Sequence, residues 1–157
     1  MKIICQKEVL LNAVSIASKA VSYKKNMEIL ECILLIAKSN ELTLIANDTE
    51  MGIETIVNEG IEIDEAGMIA VNARMLNDVI RKMPEGEIEI YSDEATYVSF
   101  KSGDIVFDKI PAHGGETFTL LPNVNYNYNF KIYALTLKDM IRQTIFSVAG
   151  EEANRMM

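Results

Sequence analysis

Leu76-Asn77-Asp78-Val79 is the middle one of three similar segments, and the other two are Leu11-Asn12-Ala13-Val14 and Leu137-Lys138-Asp139-Met140. The segments begin 65 and 61 residues apart. Each starts and ends on an apolar residue, three positions apart, which is the spacing of the buried stripe of an amphipathic helix. A repeat of this length normally consists of one supersecondary unit that packs against copies of itself. We therefore expect three related units, and stacked units of this kind can curve into a closed ring.

The first two units share one order of elements: a strand, a helix and three further strands. The first is predicted to contain a strand over 2–6, a helix over 7–21, strands over 29–37, 42–46 and 52–57, and an acidic turn over 58–65. The second is predicted to contain a strand over 68–72, a helix over 74–83, and strands over 88–92, 96–101 and 105–110. The sequence thus predicts an α+β fold.

A third unit follows a connector over 111–128 that contains two prolines, a glycine pair and several asparagines. A strand is predicted over 129–134 and a helix over 137–149. No strands follow this helix, so we expect a fragment that is cut inside a second domain. The expected boundaries are 1–123 for a first domain, with repeats over about 1–66 and 67–123, and 124–157 for a linker and the truncated start of a second domain.

The composition indicates a cytoplasmic globular protein. Of the 157 residues, 49% are hydrophobic, and no apolar run approaches the roughly 20 residues that cross a bilayer. Cys5 and Cys32 lie in apolar stretches and are expected to be buried, reduced thiols, while their mutual distance stays open. The single histidine, His113, is expected in a solvated loop, and no Cys/His spacing indicates a metal site.

Charge is distributed unevenly along the chain. The net charge of −8 argues by itself against a nucleic-acid-binding protein. The helical pieces are nevertheless basic, since the segments 7–25, 74–82 and 138–142 carry net charges of +3, +2 and +1. The acidic residues gather in the strands and turns. Charged residues often mark only a solvated helix face, but three basic helices in register favour a common role.

No motif in the sequence indicates an enzyme. A nucleophile elbow, a Gly-rich phosphate-binding loop and a zinc-binding motif are all missing. The paired acids Glu62/Asp64 and Asp93/Glu94 lie in polar segments, where carboxylates are ordinarily solvated. We therefore expect a non-catalytic protein that needs no cofactor and no metal.

A set of short blocks at consistent spacing forms a more specific pattern. The blocks are Met1-Lys2, Leu10-Leu11, Glu28-Ile29-Leu30, Leu42-Thr43-Leu44-Ile45-Ala46-Asn47-Asp48-Thr49-Glu50-Met51, Val71-Asn72-Ala73-Arg74, Met83-Pro84-Glu85-Gly86 and Phe146-Ser147. Together they resemble the bacterial DNA polymerase III β subunit family, the replicative sliding clamps. The resemblance covers residues 1 to about 146 and corresponds to the family's first domain plus the opening strand and helix of its second.

The resemblance implies a DNA-clamp fold, in which two strand-helix-three-strand repeats pack two helices on antiparallel sheets. Two full-length subunits of this family close head to tail into a ring, with helices lining the hole and sheets forming the outer wall. The ring encircles double-stranded DNA without sequence specificity and tethers the replicative polymerase. Weak contacts from Lys and Arg to phosphates suit sliding, because phosphates carry no base information.

The resemblance also implies individual site residues. Lys24, in the loop after the first helix, and Arg74, at the start of the second, match basic DNA-contacting positions of the family. Helix position and charge alone add five further candidates for DNA contact: Lys25, Arg81, Lys82, Lys138 and Arg142. The alternative for each of these residues is a solvated surface cation.

A subunit interface is implied at the outer edge of the first domain. It would involve Ile105 and Phe107 on an edge strand and Met75 and Val79 on the second helix. An apolar residue on an edge strand is an aggregation hazard unless a partner covers it, although Phe107 and Val79 also suit an ordinary core. The partner surface, and the pocket for polymerase and clamp-loader peptides, lie in family domains that follow the ones matched here.

Two other interpretations stay open. One is an α+β oligomeric interaction module that binds no nucleic acid and whose basic helices are simply solvated. The other is a small enzyme with an active site between two sheets, which a deep polar pocket with perturbed carboxylates would indicate. Salt-dependent binding to duplex DNA, or its absence in the full-length ring, distinguishes the clamp from the first of these.

Overall fold

The computed structural model describes residues 1–21, 27–93, 96–120 and 130–148. The chain divides into two compact units, Met1–Leu121 and Pro122–Met157. The elements of the first unit are β1 (Lys2–Gln6), α1 (Lys7–Ala17), β2 (Cys32–Lys38), β3 (Glu41–Asn47), β4 (Gly52–Val57), β5 (Ile61–Glu65), β6 (Gly67–Asn72), α2 (Ala73–Lys82), β7 (Glu87–Ser92), β8 (Tyr97–Ser102) and β9 (Ile105–Gly114). In the second unit, α3 spans Ala134–Thr144.

All strand pairs are antiparallel, and the strand order is β4-β3-β2-β6-β9-β8-β7-β1-β5. The long strand β9 pairs with β8 through Pro111 and with β6 over 112–114. Two sheets therefore meet at β9. We call β5-β1-β7-β8 with residues 105–111 the first sheet, and β4-β3-β2-β6 with residues 112–114 the second sheet.

A local bend carries β9 from one sheet to the other. Lys109 has a left-handed backbone with φ of 54°, and the β8–β9 register shifts between Val98 and Phe100. At this bulge the Ser99 hydroxyl donates to Asp108 Oδ1 at 2.6 Å and accepts from the Lys109 N–H at 3.3 Å. Bulges of this kind increase twist and redirect a strand.

The two repeats interlock within these sheets. β1, from the first repeat, pairs with β7 from the second, and β6, from the second repeat, pairs with β2 from the first. Each sheet thus combines strands of both repeats. The predicted order of a strand, a helix and three strands is confirmed in the second repeat, while β5 adds a fourth strand after the helix in the first. The α+β class, with helices packed on antiparallel sheets, is confirmed.

Both helices of the first unit pack on the inner faces of the sheets. The predicted stripe of α2, formed by Leu76, Val79, Ile80 and Met83, is buried. It joins Leu10 and other residues of α1 and the inward-facing residues of both sheets in one core cluster. A smaller cluster around Phe118 covers part of the other face of the second sheet. Because their apolar stripes face the core, α1 and α2 present their polar sides to solvent on the surface that faces away from the sheets.

Several of the predicted elements are wrong in detail. The first helix ends at Ala17 and is followed by a 3-10 turn over Ser18–Ala20, so it is shorter than predicted. The acidic turn over 58–65 contains β5, because Ile61 and Ile63 pack on the core while the acids between and after them face solvent. The connector begins later than predicted, since β9 extends to Gly114. Residues 130–133 form no strand, and α3 begins at Ala134.

In the second unit, α3 is followed by a 3-10 turn over Ile145–Ser147. The apolar residues Leu137, Ile141 and Ile145 recur at helical spacing and are exposed. None of the helices that the structure describes has the length and the apolar character of a membrane-spanning helix.

Candidate nucleic-acid interface

α1 and α2 lie side by side and run in opposite directions. At one end, the Lys7 ammonium group at the start of α1 donates to the carbonyl oxygen of Met83, just past the end of α2, at 2.8 Å. At the other end of α1, the Nδ2 of Asn77, in the middle of α2, donates to the hydroxyl of Ser18 at 2.8 Å. These contacts confirm that the first two helices are neighbours.

α2 presents three of the predicted cations to solvent. Arg74, Arg81 and Lys82 are exposed, and among the described residues no carboxylate lies within ion-pair distance of them. Arg81 and Lys82 occupy the last turn of the helix, where a cation is also favourable because of the helix dipole. Their position therefore has a structural explanation besides a functional one.

Arg74 has no such explanation. It lies in the first turn of α2, where the partial positive charge of the helix dipole disfavours a cation by about 0.3–1 kcal/mol. Asn72 caps this end instead, because its Oδ1 accepts from the backbone N–H groups of Arg74 and Met75 at 3.1 and 3.3 Å. The Arg74 guanidinium is thus exposed at an unfavourable helix end and has no ion-pair partner in the described part of the chain. This arrangement favours a role in binding an anion.

The other cations of the first helix region fall into three groups. Lys24 and Lys25 lie outside the described residues. Lys7, which contributes to the basic character of the first segment, is buried and paired with Glu85 at 2.7 Å, so it is withdrawn from solvent. Lys19, which the sequence did not single out, is exposed one residue after Ser18 and forms no ion pair with a described residue.

Two acids share the helix surface with these cations. Glu8 is exposed in the first turn of α1, where a carboxylate is favourable. Asp78 is exposed on α2, four residues after Arg74 and four before Lys82. Counting Arg74, Arg81 and Lys82 on α2 and Lys19 just past α1 against these two acids, the described helix surface remains net positive, although no exposed cation lies on α1 itself.

The outer face of the first sheet has the opposite character. Lys2 Nζ pairs with Asp64 at 2.6 Å, and Lys101 Nζ lies 3.9 Å from Glu89. The hydrogen bond and the charge of Asp64 raise the pKa of Lys2. The remaining exposed carboxylates of the sheet, for example those of Glu62, Glu87 and Asp108, leave this face net negative. Lys2 and Lys101 on the sheet therefore have carboxylate neighbours. Lys109, exposed on the same sheet, and the cations of α2 form no ion pair with a described residue.

The N-terminal part of β9 is an open sheet edge. Residues 105–110 pair with β8 on one side, and no described strand pairs with the other side. Ile105 is 43% exposed, whereas Phe107 is partly buried and packs on the core. On α2, Met75 is 41% exposed and Val79 is buried. The backbone groups of this edge and the Ile105 side chain are thus accessible to a partner, while Val79 lies mainly in the core.

The described residues contain no group of His, Cys, Asp and Glu side chains arranged to hold a metal ion. Cys5 and Cys32 are both buried free thiols, as predicted, and burial raises the pKa of each to about 11. His113 is exposed as predicted, but it lies in β9 and not in a loop. The cleft beside it has a volume of 470 Å³ and is lined by Glu28, Glu31, Cys32, Asn72, Met75, Pro111 and His113.

Comparison with known proteins identifies the family. Residues 1–121 match the family described as DNA polymerase III beta subunit, N-terminal domain. The chain belongs to this family. A curated relative, the beta sliding clamp of Halalkalibacterium halodurans, is 28% identical over 163 residues, which cover 100% of this chain and 43% of the relative. The chain thus spans about two fifths of the length of that relative.

Solved structures of the family share the fold. A protein assigned as a DNA polymerase III beta subunit, from Eubacterium rectale, is 41% identical with a TM-score of 0.90, over 99% of this chain and 41% of that chain. The DNA polymerase sliding clamp from Bacillus subtilis is 26% identical with a TM-score of 0.91, over 98% of this chain and 42% of that chain. These similarities confirm the resemblance that the sequence blocks indicate.

The structure brings only some of the predicted DNA-contacting residues together. Arg74, Arg81 and Lys82 share α2, which contacts the end of α1 through Asn77. Lys138 and Arg142 are exposed on α3, four residues apart, in the second unit. Lys19 is an additional candidate, and the only signal for it in the sequence is its place in the first basic segment.

Proposed function

We propose that this chain is the N-terminal part of a replicative sliding clamp, which encircles double-stranded DNA without sequence specificity and tethers the replicative polymerase for processive synthesis. In this proposal the protein acts without catalysis, in the cytoplasm. Two subunits close head to tail into a ring. The polymerase and the clamp loader bind through parts of the protein that follow this chain.

The observation that carries the proposal is the division of charge between helices and sheets. The exposed cations of α2, and Lys19 just past α1, have no carboxylate partner among the described residues, whereas Lys2 and Lys101 on the net negative first sheet do. Phosphates are bound by exposed, unneutralised Lys and Arg side chains, and such contacts exchange readily because they are screened by salt. An acidic outer face repels DNA from the wrong side of the ring.

Within this proposal, Arg74 and Lys24 are the main phosphate contacts, and Lys25, Arg81, Lys82, Lys138 and Arg142 are further candidates for phosphate contact. Arg74 has the best support, because it occupies an unfavourable end of α2 without an ion pair to any described carboxylate. The subunit interface is proposed along the open edge of β9, with Ile105 and Phe107 on the strand and Met75 and Val79 on α2.

The test measures binding of the chain to a fluorescein-labelled DNA duplex by anisotropy, over a series of salt concentrations. We expect affinity to fall steeply with salt and to be the same for duplexes of different sequence. Arg74→Ala is expected to reduce the slope of log K against log salt by about one, the effect of losing one phosphate contact.

Lys101→Ala provides the matched control. Lys101 is also an exposed cation, but it lies on the first sheet beside Glu89, so its removal should leave both affinity and slope unchanged. Equal losses of affinity from Lys101→Ala and Arg74→Ala would show that DNA does not prefer the helix face over the sheet face. Association that is independent of salt, or absent at low salt, would favour an interaction module that binds no nucleic acid.

Encirclement requires a separate test on the full-length protein. A closed ring that has been loaded on a circular plasmid stays bound in high salt and dissociates once the plasmid is cut. Ile105→Glu, on the proposed interface, should abolish this retention because it places a charge in an apolar contact. Retention on linear DNA that equals retention on circular DNA would contradict encirclement.

A further inference from the structure

Asn77 forms an unusual link between the two helices of the first unit. Its Nδ2 donates to Ser18 Oγ at 2.8 Å and to the carbonyl oxygen of Ala73, one turn earlier in α2, at 3.0 Å. Ser18 Oγ in turn donates to the carbonyl oxygen of Val14 at 2.6 Å. A continuous chain of hydrogen bonds therefore runs from α2 into the last turn of α1.

The donors and acceptors in this chain have only one consistent arrangement. The carbonyl oxygens of Ala73 and Val14 can only accept, so the Asn77 amide must present its nitrogen and the Ser18 hydroxyl must use its single proton on Val14. Ser18 Oγ must then accept from Asn77. Both N–H groups of the Asn77 side chain are thereby used, and hydrogen bonds in such a chain strengthen one another.

The link adds direction to a contact that is otherwise apolar apart from the Lys7 hydrogen bond at the start of α1. The buried residues of α1 are apolar except for Lys7, and those of α2 are all apolar. Apolar packing is non-directional, whereas a hydrogen bond requires defined distances and angles. Asparagine is also a poor residue for a helix interior, so helix propensity does not explain its presence at position 77.

The link lies among the unpaired cations. Asn77 is three residues after Arg74 and four before Arg81, so the three side chains share one face of α2. Ser18 immediately precedes Lys19. The hydrogen bond from Asn77 to Ser18 therefore joins the backbone that carries Lys19 to the helix that carries Arg74 and Arg81.

We infer that Asn77 is a positioning residue of the DNA-contacting surface: its hydrogen bond to Ser18 fixes the end of α1 against α2, so that Lys19 and Arg74 meet neighbouring phosphates together. This inference rests on the proposed function. Asn77 has no phosphate contact of its own in this arrangement, because both of its N–H groups are used within the protein.

The first test compares Asn77→Leu and Ser18→Ala, which remove the donor and the acceptor of the same hydrogen bond. Each is expected to lower affinity for a labelled DNA duplex roughly 2- to 10-fold, the range that one hydrogen bond supports. The slope of log K against log salt should also decrease, since fewer phosphates are neutralised at once. The double variant should bind no more weakly than either single variant.

Several outcomes separate this inference from a general loss of stability and from the proposed function. Urea unfolding establishes that each variant is folded under the binding conditions, and a folded protein with a merely structural change keeps the wild-type salt slope. If Arg74→Ala weakens binding while Asn77→Leu and Ser18→Ala change neither affinity nor slope, the inference is wrong and the proposed function stands. If Arg74→Ala has no effect, the proposed function fails, and the inference fails with it.

The second test measures positioning without DNA. Spin labels are attached to Lys19→Cys and Arg74→Cys, and the distribution of distances between them is measured by pulsed electron paramagnetic resonance. The native thiols of Cys5 and Cys32 are buried with pKa values raised to about 11, so the exposed introduced thiols react first. Asn77→Leu should broaden the distribution, and Asn12→Leu, at an exposed asparagine of α1, should not. A distribution that Asn77→Leu leaves unchanged would overturn the inference.

Discussion

The ammonium group of Lys7 is held inside the protein at the junction of the two helices. It donates to the Met83 carbonyl oxygen at 2.8 Å and to Glu85 Oε1 at 2.7 Å. The Lys7 side chain is 11% exposed, while that of Glu85 is 76% exposed. The buried contact with the carbonyl oxygen should therefore matter more for stability than the solvent-screened ion pair, because exposed pairs contribute little.

Lys7→Met tests this difference, since methionine keeps an apolar stem of similar length but removes the donor. We expect the free energy of unfolding to fall by about 1–3 kcal/mol, the effect of losing a hydrogen bond from a charged donor to a buried acceptor. Glu85→Gln is the matched control and should cost less than about 1 kcal/mol. Urea denaturation followed by circular dichroism measures both. A larger loss for Glu85→Gln than for Lys7→Met would show that the ion pair dominates.

Lys7 also shows what the sequence could not predict about single side chains. It contributes to the net charge of the first basic segment like any other lysine, yet the fold removes it from solvent. Arg74 illustrates the opposite case, because the block Val71-Asn72-Ala73-Arg74 indicates both the helix start and the cation. The charged residues can be read from the sequence. Whether a charge is free to contact a ligand depends on which partners the tertiary structure supplies.

At the scale of elements, the start of α2 depends on Asn72. The Asn72 side chain accepts from Arg74 N and Met75 N, while its own Nδ2 lies 3.4 Å from Glu31 Oε2. Asn72→Ala should reduce the free energy of unfolding by about 1 kcal/mol, because the helix loses its cap. Asn72→Ser should stay within a few tenths of a kcal/mol, as serine caps comparably well. Equal losses in urea denaturation would instead implicate the contact with Glu31, which serine cannot reproduce.

The helices were predictable from sequence in a way that some strands were not. The apolar residues of α2 recur at helical spacing, and all of the predicted stripe is buried. In contrast, β5 alternates apolar and acidic residues in a stretch that also reads as an acidic turn. A strand at the border of a sheet tolerates acids on its outer face, and only its pairing with β1 distinguishes it from a turn.

At the scale of the molecule, strand exchange between the repeats has a consequence for folding. β1 and β5 of the first repeat complete a sheet with β7, β8 and β9 of the second, and β6 completes a sheet with β2, β3 and β4. Sequence repeats predict the order of elements within each unit, but not this exchange, because pairing between distant strands leaves no local pattern. Neither repeat contains a complete sheet of its own, so the two should unfold together.

Native-state hydrogen exchange tests this coupling. The amides of Leu44 in β3 and Phe100 in β8 should open with the same free energy, since a single cooperative unit exchanges by global unfolding. Ile3→Ala truncates a fully buried side chain of β1 and should lower both values equally, by about 2–5 kcal/mol. Glu54→Ala, on an exposed position of β4, should change neither by more than about 0.5 kcal/mol. If Ile3→Ala accelerates exchange in β8 and leaves β3 protected, the repeats unfold independently and the interlocked sheets do not couple them.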